Sequence, residues 1–222
     1  MTDCSSDVCA IVLAAGQGRR FRERFDVDKL LAPSAQQGES EPVLLSTLRA
    51  LQGATERLVV VVRQDNRELI AWLDRMSSQV NVEVYPVRSD GLGHSLAQAV
   101  ARFPARRGWL VALGDMPYVR PDSVQRIAEA IRPDSLIVPV YRGQRGHPRG
   151  IGREHRDALL GLTGDHGAQQ LFAQSDVVEL PVDDPGVLLD IDRPDDVLPH
   201  RCDSTTPERS ALSRGRTSLK PQ

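Results

Sequence analysis

Over about its first 140 residues this chain alternates strand-length apolar runs with segments of helical period, and that alternation restricts the fold more than any other feature. The strand candidates are residues 10–15, the β-branched run Arg57–Arg63 (RLVVVVR), residues 80–84, 109–113 and 135–140. Between them lie helix candidates at Val43–Leu51, with Pro42 opening it, and at residues 66–75, 95–103 and 121–131. The polar stretch 33–41 reads as a loop. Strand–helix alternation implies a mostly parallel sheet covered on both faces by helices, an α/β three-layer sandwich of Rossmann-like form. Ligands of such folds sit at the carboxyl ends of the strands. Three turns fall there: the one at Gly16, the loop at Gly91 and the turn at Asp115. After Val140 the alternation loosens and glycines cluster.

The first strand runs straight into glycine. In AIVLAAGQGRRFRERFDVDKLL, Gly16 and Gly18 follow the apolar run, then come Arg19 and Arg20, and Lys29 closes the segment. Glycines let a backbone pass close to a ligand, and the freed N–H groups of such a turn make a concave anion site. Arg20 would meet phosphate oxygens as a fork and Lys29 as a point charge. Neither familiar phosphate motif fits. GxxxxGK[ST] is absent, and the third glycine of GxGxxG is replaced by Phe21. The reading is a triphosphate held by Gly16, Gly18, Arg20 and Lys29.

Acidic residues supply the complement. Asp115 follows the strand WLVAL in LGDMP, where its carboxylate points into the ligand crevice as a hard oxygen donor suited to Mg²⁺; a turn or N-cap aspartate is the plainer reading. In DIDRPDD, Asp190 and Asp192 share one side of an extended segment with Ile191 opposite, so either could face Asp115. Asp195 and Asp196 read as caps of a following helical turn. In DGLGHSLA, Gly91 and Gly93 let the backbone lie flat against a base, and Ser95 caps the next helix. RGQRGHPRG (142–150) and LTGDHGA (162–168) carry arginines and histidines in glycine-rich loops, which fits a second anionic ligand. No nucleophile elbow or site cysteine is present. The chemistry is therefore phosphoryl transfer by positioning and charge, with the second substrate's own phosphate attacking the α-phosphorus and pyrophosphate leaving.

Composition narrows the partners. The 222 residues suit one large domain, expected at 1–200, with a tail at 201–222 that has no hydrophobic period and is expected to be disordered. With 28 basic and 30 acidic residues and 4% aromatics, nothing favours nucleic acid or membrane. Cys4, Cys9 and Cys202 show no metal spacing, and no apolar run approaches a membrane span. A cytoplasmic location is the expectation.

The set LAAGQGRRF, DKLLAP, DGLGHSL, LGDMP, GHPRG, LTGDHGAQ and DIDRPDD, in this order over residues 10–197, resembles the MobA-like nucleotidyltransferases, closest to the molybdenum cofactor cytidylyltransferases. The resemblance implies a nucleotidyltransferase fold, Mg²⁺ dependence, and transfer of CMP, less readily GMP, from the nucleoside triphosphate to the phosphate of a molybdopterin-type acceptor, with a molybdoenzyme as possible client. Ala15 before Gly16, where GTP-using relatives carry a second glycine, favours CTP. By position it implies nucleotide binding by Ala14, Ala15, Gly16, Gly18, Arg20, Lys29, Gly91, Gly93 and Ser95, with Arg20, Lys29 and Asp115 catalytic. It further implies metal binding by Asp115 and Asp192, and acceptor binding by His147 and Asp165. The chain departs from the family pattern in a longer Phe21–Lys29 spacing, in Gln169 where arginine is common, and in Arg193 where threonine is common. LAAGxGxRF and GxGH also resemble the sugar-1-phosphate nucleotidyltransferases. A non-catalytic molybdenum cofactor chaperone or insertion factor of the same fold is the remaining alternative.

Overall fold

A computed structural model of the chain describes residues 6–16, 21, 27–36, 39–165, 167–193 and 196. Its centre is an eight-stranded sheet. The strands are β1 (Ser6–Ala14), β4 (Arg57–Arg63), β5 (Glu83–Val87), β6 (Ala105–Leu113), β7 (Leu136–Tyr141), β8 (Gln144–Arg145), β9 (Arg149–Gly152) and β10 (Val178–Pro181). They run in the order β10-β7-β9-β6-β1-β4-β5, with β8 paired to β7. The pairs β1–β4, β1–β6, β4–β5 and β7–β10 are parallel, whereas β9 pairs antiparallel with both β6 and β7.

Helices cover both faces, as the alternation requires. Along β1 the side chains of Ala10, Val12 and Ala14 enter one core with α1 (Val43–Leu51), α2 (Arg67–Met76) and α4 (Pro121–Ala130). Cys9, Ile11 and Leu13 enter the other, with α3 (Leu92–Arg102), α5 (Arg156–Leu160) and α6 (Gln169–Gln174). A strand buried on both faces has no polar positions to spare, which is why the β4 run is continuous rather than alternating. Trp109 is fully buried, and its indole N–H donates to Phe103 O at 2.8 Å, so the largest side chain is enclosed without an unmet donor.

The chain order places the site. From β1 the chain moves outward to β4 and β5, then returns through α3 to β6 on the other side of β1. Strand order reverses between β1 and β6, and the loops leaving their carboxyl ends part to open a crevice. Gly16 lies just beyond β1 and Asp115 just beyond β6, and Gly114 N donates to Leu13 O at 3.0 Å across the reversal.

Several local readings change. The stretch expected to be a loop at 33–41 is a hairpin of β2 (Pro33–Gln36) and β3 (Glu39–Pro42). Its ladder owes nothing to apolar alternation: the buried Ser34 hydroxyl donates to Glu41 O at 3.0 Å and meets Ser46 Oγ at 3.0 Å. The strand expected at 80–84 lies at Glu83–Val87, because Val59 to Arg63 of β4 fix its register there, while Val80 drops into the core. The helix expected from Ser95 begins at Leu92. The first strand, expected at residues 10–15, starts earlier, at Ser6, and so takes in Cys9, which is buried. Cys4, Cys202 and the tail 201–222 lie outside the described residues. No helix among the described residues is long and apolar enough to cross a membrane.

Candidate functional site

Four charged side chains meet at the reversal. Lys29 Nζ lies 2.5 Å from Asp115 Oδ2, 3.6 Å from Asp192 Oδ1 and 3.3 Å from Ile191 O. Asp115, Asp190 and Asp192 each offer a carboxylate oxygen, all within 4.8 Å of one another. Three carboxylates that close repel, and the ammonium between them is their internal counter-ion. Burial by itself would lower the Lys29 pKa. The Asp115 charge and hydrogen bond, with Asp192 and Asp190 behind them, outweigh it and hold Lys29 above its ordinary value. Burial first, then the Asp115 charge, pushes the Asp190 carboxyl up, with Lys29 opposing.

A divalent cation fits this donor set. Asp115 Oδ1 is buried and has no hydrogen-bond partner among the described residues. Hard oxygen donors around a buried, unmet carboxylate oxygen suit Mg²⁺ or Mn²⁺ and not a soft metal. The sequence left Asp190 and Asp192 as alternatives beside Asp115; the fold brings both to it. Ile191 between them is fully buried, so the alternation read from DID holds.

Backbone contacts far from the strands deliver those aspartates. Asp184 is 1% exposed and accepts from Gly186 N and Arg120 N, each at 2.9 Å, pinning the 3₁₀ turn Pro185–Leu188 to the loop after Asp115. Ile191 N then donates to Asp115 O at 2.9 Å. Asp196, expected as a helix cap, instead turns back: its Oδ2 accepts from Asp192 N at 3.0 Å and Arg193 N at 2.7 Å, which fixes the direction of the Asp192 segment. On the other side, Asp28 holds Lys29. Its carboxylate accepts from Leu30 N at 3.0 Å and from Asn66 Nδ2 at 2.7 Å, and Asn66 itself caps α2. Asp28, Asp184 and Asp196 went unread in the sequence as positioning residues. For Asp184 a signal existed, an aspartate before Pro185, the pairing of a cap with a first-position proline.

The remaining expected residues divide. Ala15 is half-buried and Gly16 exposed beyond β1, with open space where a Gly16 side chain would stand. Ala14 is 3% exposed and its methyl belongs to the core, so only its main chain can face a ligand. Gly18 and Arg20 lie outside the described residues. Gly91 and Gly93 have a packing role besides the base-binding role read for them. A Cβ on Gly91 would lie 2.3 Å from Gly164 C and 2.4 Å from Asp165 Oδ1, and Gly93 N already donates to Gly164 O at 2.9 Å. The flat glycine backbone accommodates the neighbouring loop. The capping role read for Ser95 is corrected. It is 1% exposed inside α3, and its hydroxyl joins Ser89 Oγ at 2.8 Å to Gly91 O at 3.1 Å, so it shapes the loop from within and caps nothing.

Asp165 thus touches the Gly91 loop, while His147 sits elsewhere. His147 N donates to Val187 O at 2.9 Å, on the turn that leads to Asp190. Burial, then the Arg149 charge, lowers the His147 pKa from its ordinary 6.5 to about 3. Burial thus favours the neutral ring over the cation at working pH. Its folded value lies below its unfolded one, so the unfolded chain binds the proton first. Stability is then lost as pH falls below about 6.5, and the loss grows until about 3. Melting curves across that window should show a shallower acid decline for His147→Gln than for the parent; identical declines would contradict the buried neutral ring.

Comparisons with known proteins agree with this architecture. A family model described as MobA-like NTP transferase domain matches residues 10–179. The bifunctional protein GlmU of Rhodopseudomonas palustris is 31% identical over 185 residues, covering 80% of this chain and 37% of that protein. The chain spans about a third of the length of the curated relatives it matches. Among solved structures, Rv0371C of Mycobacterium tuberculosis H37Rv in complex with manganese is 28% identical with a TM-score of 0.67, covering 86% of this chain and 95% of that one. A nucleotidyl transferase from Methanothermobacter thermautotroptrophicus is 25% identical with a TM-score of 0.68, covering 85% and 93%.

Proposed function

This chain belongs to the MobA-like NTP transferase family, and from that membership and the cluster at the β1–β6 reversal we propose that it moves a CMP group from CTP to the phosphate of a molybdopterin-type acceptor. The observation that carries the reading is the meeting of Lys29 with Asp115, Asp190 and Asp192 beside the glycine turn that leaves β1. A cation and three carboxylates gathered beyond the carboxyl ends of β1 and β6 are what a polyphosphate and its metal require, and the sequence carries no nucleophile elbow or cysteine at this site.

Mg²⁺ held by Asp115 and Asp192, with Asp190 beside them, would supply charge stabilisation to the triphosphate oxygens. The chain's own residues do the rest. Backbone N–H groups of the turn at Ala15 and Gly16, with Gly18 and Arg20, hold the triphosphate. Asp28 keeps Lys29 at the cluster, and Lys29 offsets the negative charge that develops on the departing group. An oxygen of the acceptor phosphate attacks the α-phosphorus, the bond to the bridging oxygen of the β-phosphate breaks, and pyrophosphate leaves with that electron pair. The attacking phosphate is already ionised, so no general base is needed. His147 and Asp165 are assigned to the acceptor on the resemblance of their loops. The favoured base rests on Ala15 before Gly16. A sugar 1-phosphate as acceptor is the second reading, and the LAAGxGxRF turn favours it equally well.

The test is pyrophosphate release with each of CTP, GTP, ATP and UTP, with and without molybdopterin, in Mg²⁺. Release is expected with CTP only when molybdopterin is present, and a chelator should stop it until Mg²⁺ is restored. Release with GTP would overturn the base. Release only with a sugar 1-phosphate would overturn the acceptor, and silence under every condition would overturn the enzyme reading.

A further inference from the structure

Of the three arginines in RGQRGHPRG, two are accounted for. Arg142 is exposed at the tip of the β7–β8 turn, its guanidinium 5.2 Å from the Tyr141 ring centroid. Arg145 is neutralised by Glu179 at 2.8 Å. Arg149 differs. It is half-buried on β9, opposite Val111 of β6, and no carboxylate lies within ion-pair distance of it among the described residues. Its guanidinium lies 4.8 Å from the centroid of the Phe172 ring on α6, and its Nε donates to Gly146 O at 3.3 Å. Neither of its Nη groups has a hydrogen-bond partner among the described residues.

Its direction is informative. β9 runs antiparallel to β6, so the residues preceding Arg149 continue toward the carboxyl end of β6, where Asp115 stands. The Nε bond to Gly146 O draws the Arg149 guanidinium back toward those preceding residues. Gly146 and His147 pack there against Val187, on the turn that leads to Asp190 and Asp192. Phe172 belongs to the helix that follows the Asp165 loop. Arg149 therefore touches both the 142–150 loop and the helix that follows the Asp165 loop, the two stretches that the sequence associates with a second substrate.

We propose that Arg149 is the anchor for a phosphate-type anion carried by the second substrate, its guanidinium set over the Phe172 ring and its two Nη groups available as a bidentate fork. This rests on the nucleotidyltransferase reading above and specifies what it leaves open, the group that grips the attacking phosphate. The physical case is one of compensation. A desolvated guanidinium with no carboxylate beside it is a standing cost, and burial, then Arg145, lowers its pKa. An arriving dianion removes that cost and gains two parallel charge-assisted hydrogen bonds. Stacking on Phe172 reduces the freedom the fork would otherwise lose on binding. The neutral His147 ring beside it adds a hydrogen-bonding group without a second charge.

Inorganic phosphate is the probe. Calorimetric titrations would use the full chain, alone and saturated with a non-hydrolysable CTP analogue and Mg²⁺ so that the triphosphate turn is filled. The parent is expected to bind phosphate at millimolar concentration in both states. Arg149→Gln should weaken phosphate binding about tenfold or more, and Arg149→Lys, which keeps the charge but loses the fork and the stack, by an intermediate factor. Affinity for the CTP analogue should be the same in all three proteins. Equal phosphate affinity in Arg149→Gln and parent, or no phosphate binding by the parent, would overturn the assignment. If the parent bound phosphate but no nucleotide, the nucleotidyltransferase reading would fall, and the comparison of variants on the chain alone would still decide Arg149. Should Arg149→Gln fold poorly, the charge-conserving lysine variant carries the test.

Discussion

Asp115→Asn is expected to release pyrophosphate about a thousandfold more slowly than the parent, with its fold retained. The expectation follows from what each Asp115 oxygen does. One lies 2.5 Å from Lys29 Nζ; the other is buried with no partner among the described residues and is the atom a divalent ion would meet. The amide keeps the shape and can still accept from Lys29, but it removes the charge that gathers both cations. Loss of a single preorganised electrostatic contact lowers turnover by about a hundredfold to a thousandfold. Here metal binding and the placement of Lys29 depend on the same carboxylate, so the upper end of that range is expected. Stability should change far less, because Asp192 stays within 3.6 Å of Lys29 and the repulsion among three carboxylates is relieved at the same time. Single-turnover pyrophosphate release and a thermal melt measure the two separately. A rate within about tenfold of the parent would show that Asp115 does not carry the chemistry. An unchanged client function alongside a lost rate would point to a carrier.

Gly186→Ala should be the most damaging single methyl in the structure outside the strands. A Cβ there would lie 2.0 Å from Tyr118 O, 2.3 Å from Tyr118 C and 2.7 Å from Val119 N. All three are backbone atoms, so no side chain can rotate away. Either the Pro185–Leu188 turn or the loop after Asp115 must move, and the two carry opposite halves of the acidic cluster. The displacement also strains the Asp184 bonds to Gly186 N and Arg120 N. A loss of roughly 3 kcal/mol is expected, at the top of the usual range for overpacking, which lowers the melting point by about 6–12 °C in a chain of this size. The stabilisation that Mg²⁺ or Mn²⁺ gives the parent in a melt should disappear, because Asp190 and Asp192 no longer close on Asp115. A variant that melts within about two degrees of the parent and keeps its metal response would mean that the two segments are not rigidly docked.

The parts of the fold and site that were legible were those whose cause is local. Arg57–Arg63 reads as a buried strand because four consecutive valines leave no polar face. Val43–Leu51 reads as a helix because Pro42 suits its start, and its bounds match the structure residue for residue. Asp115 was found because it follows the apolar run of β6 at that strand's carboxyl end, and the DID pair because alternation puts both carboxylates on one side of an extended segment. The misreadings have long-range causes. Residues 33–41 form a hairpin through serine and glutamate contacts that no hydrophobic period announces. The fifth strand slid to Glu83–Val87 because its partner sets its register. Gly91 also seats Gly164 and Asp165, a contact between loops more than 70 residues apart that no local pattern announced.

The sequence by itself determined a parallel α/β sheet, a glycine turn suited to phosphate, and carboxylates at strand ends, because period, turn chemistry and strand length act over a few neighbouring residues. Only the tertiary structure decided that Asp190 joins Asp192 at Asp115, that Asp28 and Asp196 hold the two sides of the cluster in place, and that Arg149 is half-buried without a carboxylate partner among the described residues. Each of these depends on which loops meet across the strand reversal. Such meetings are fixed by packing between segments distant in the chain, and no local pattern of residues encodes them.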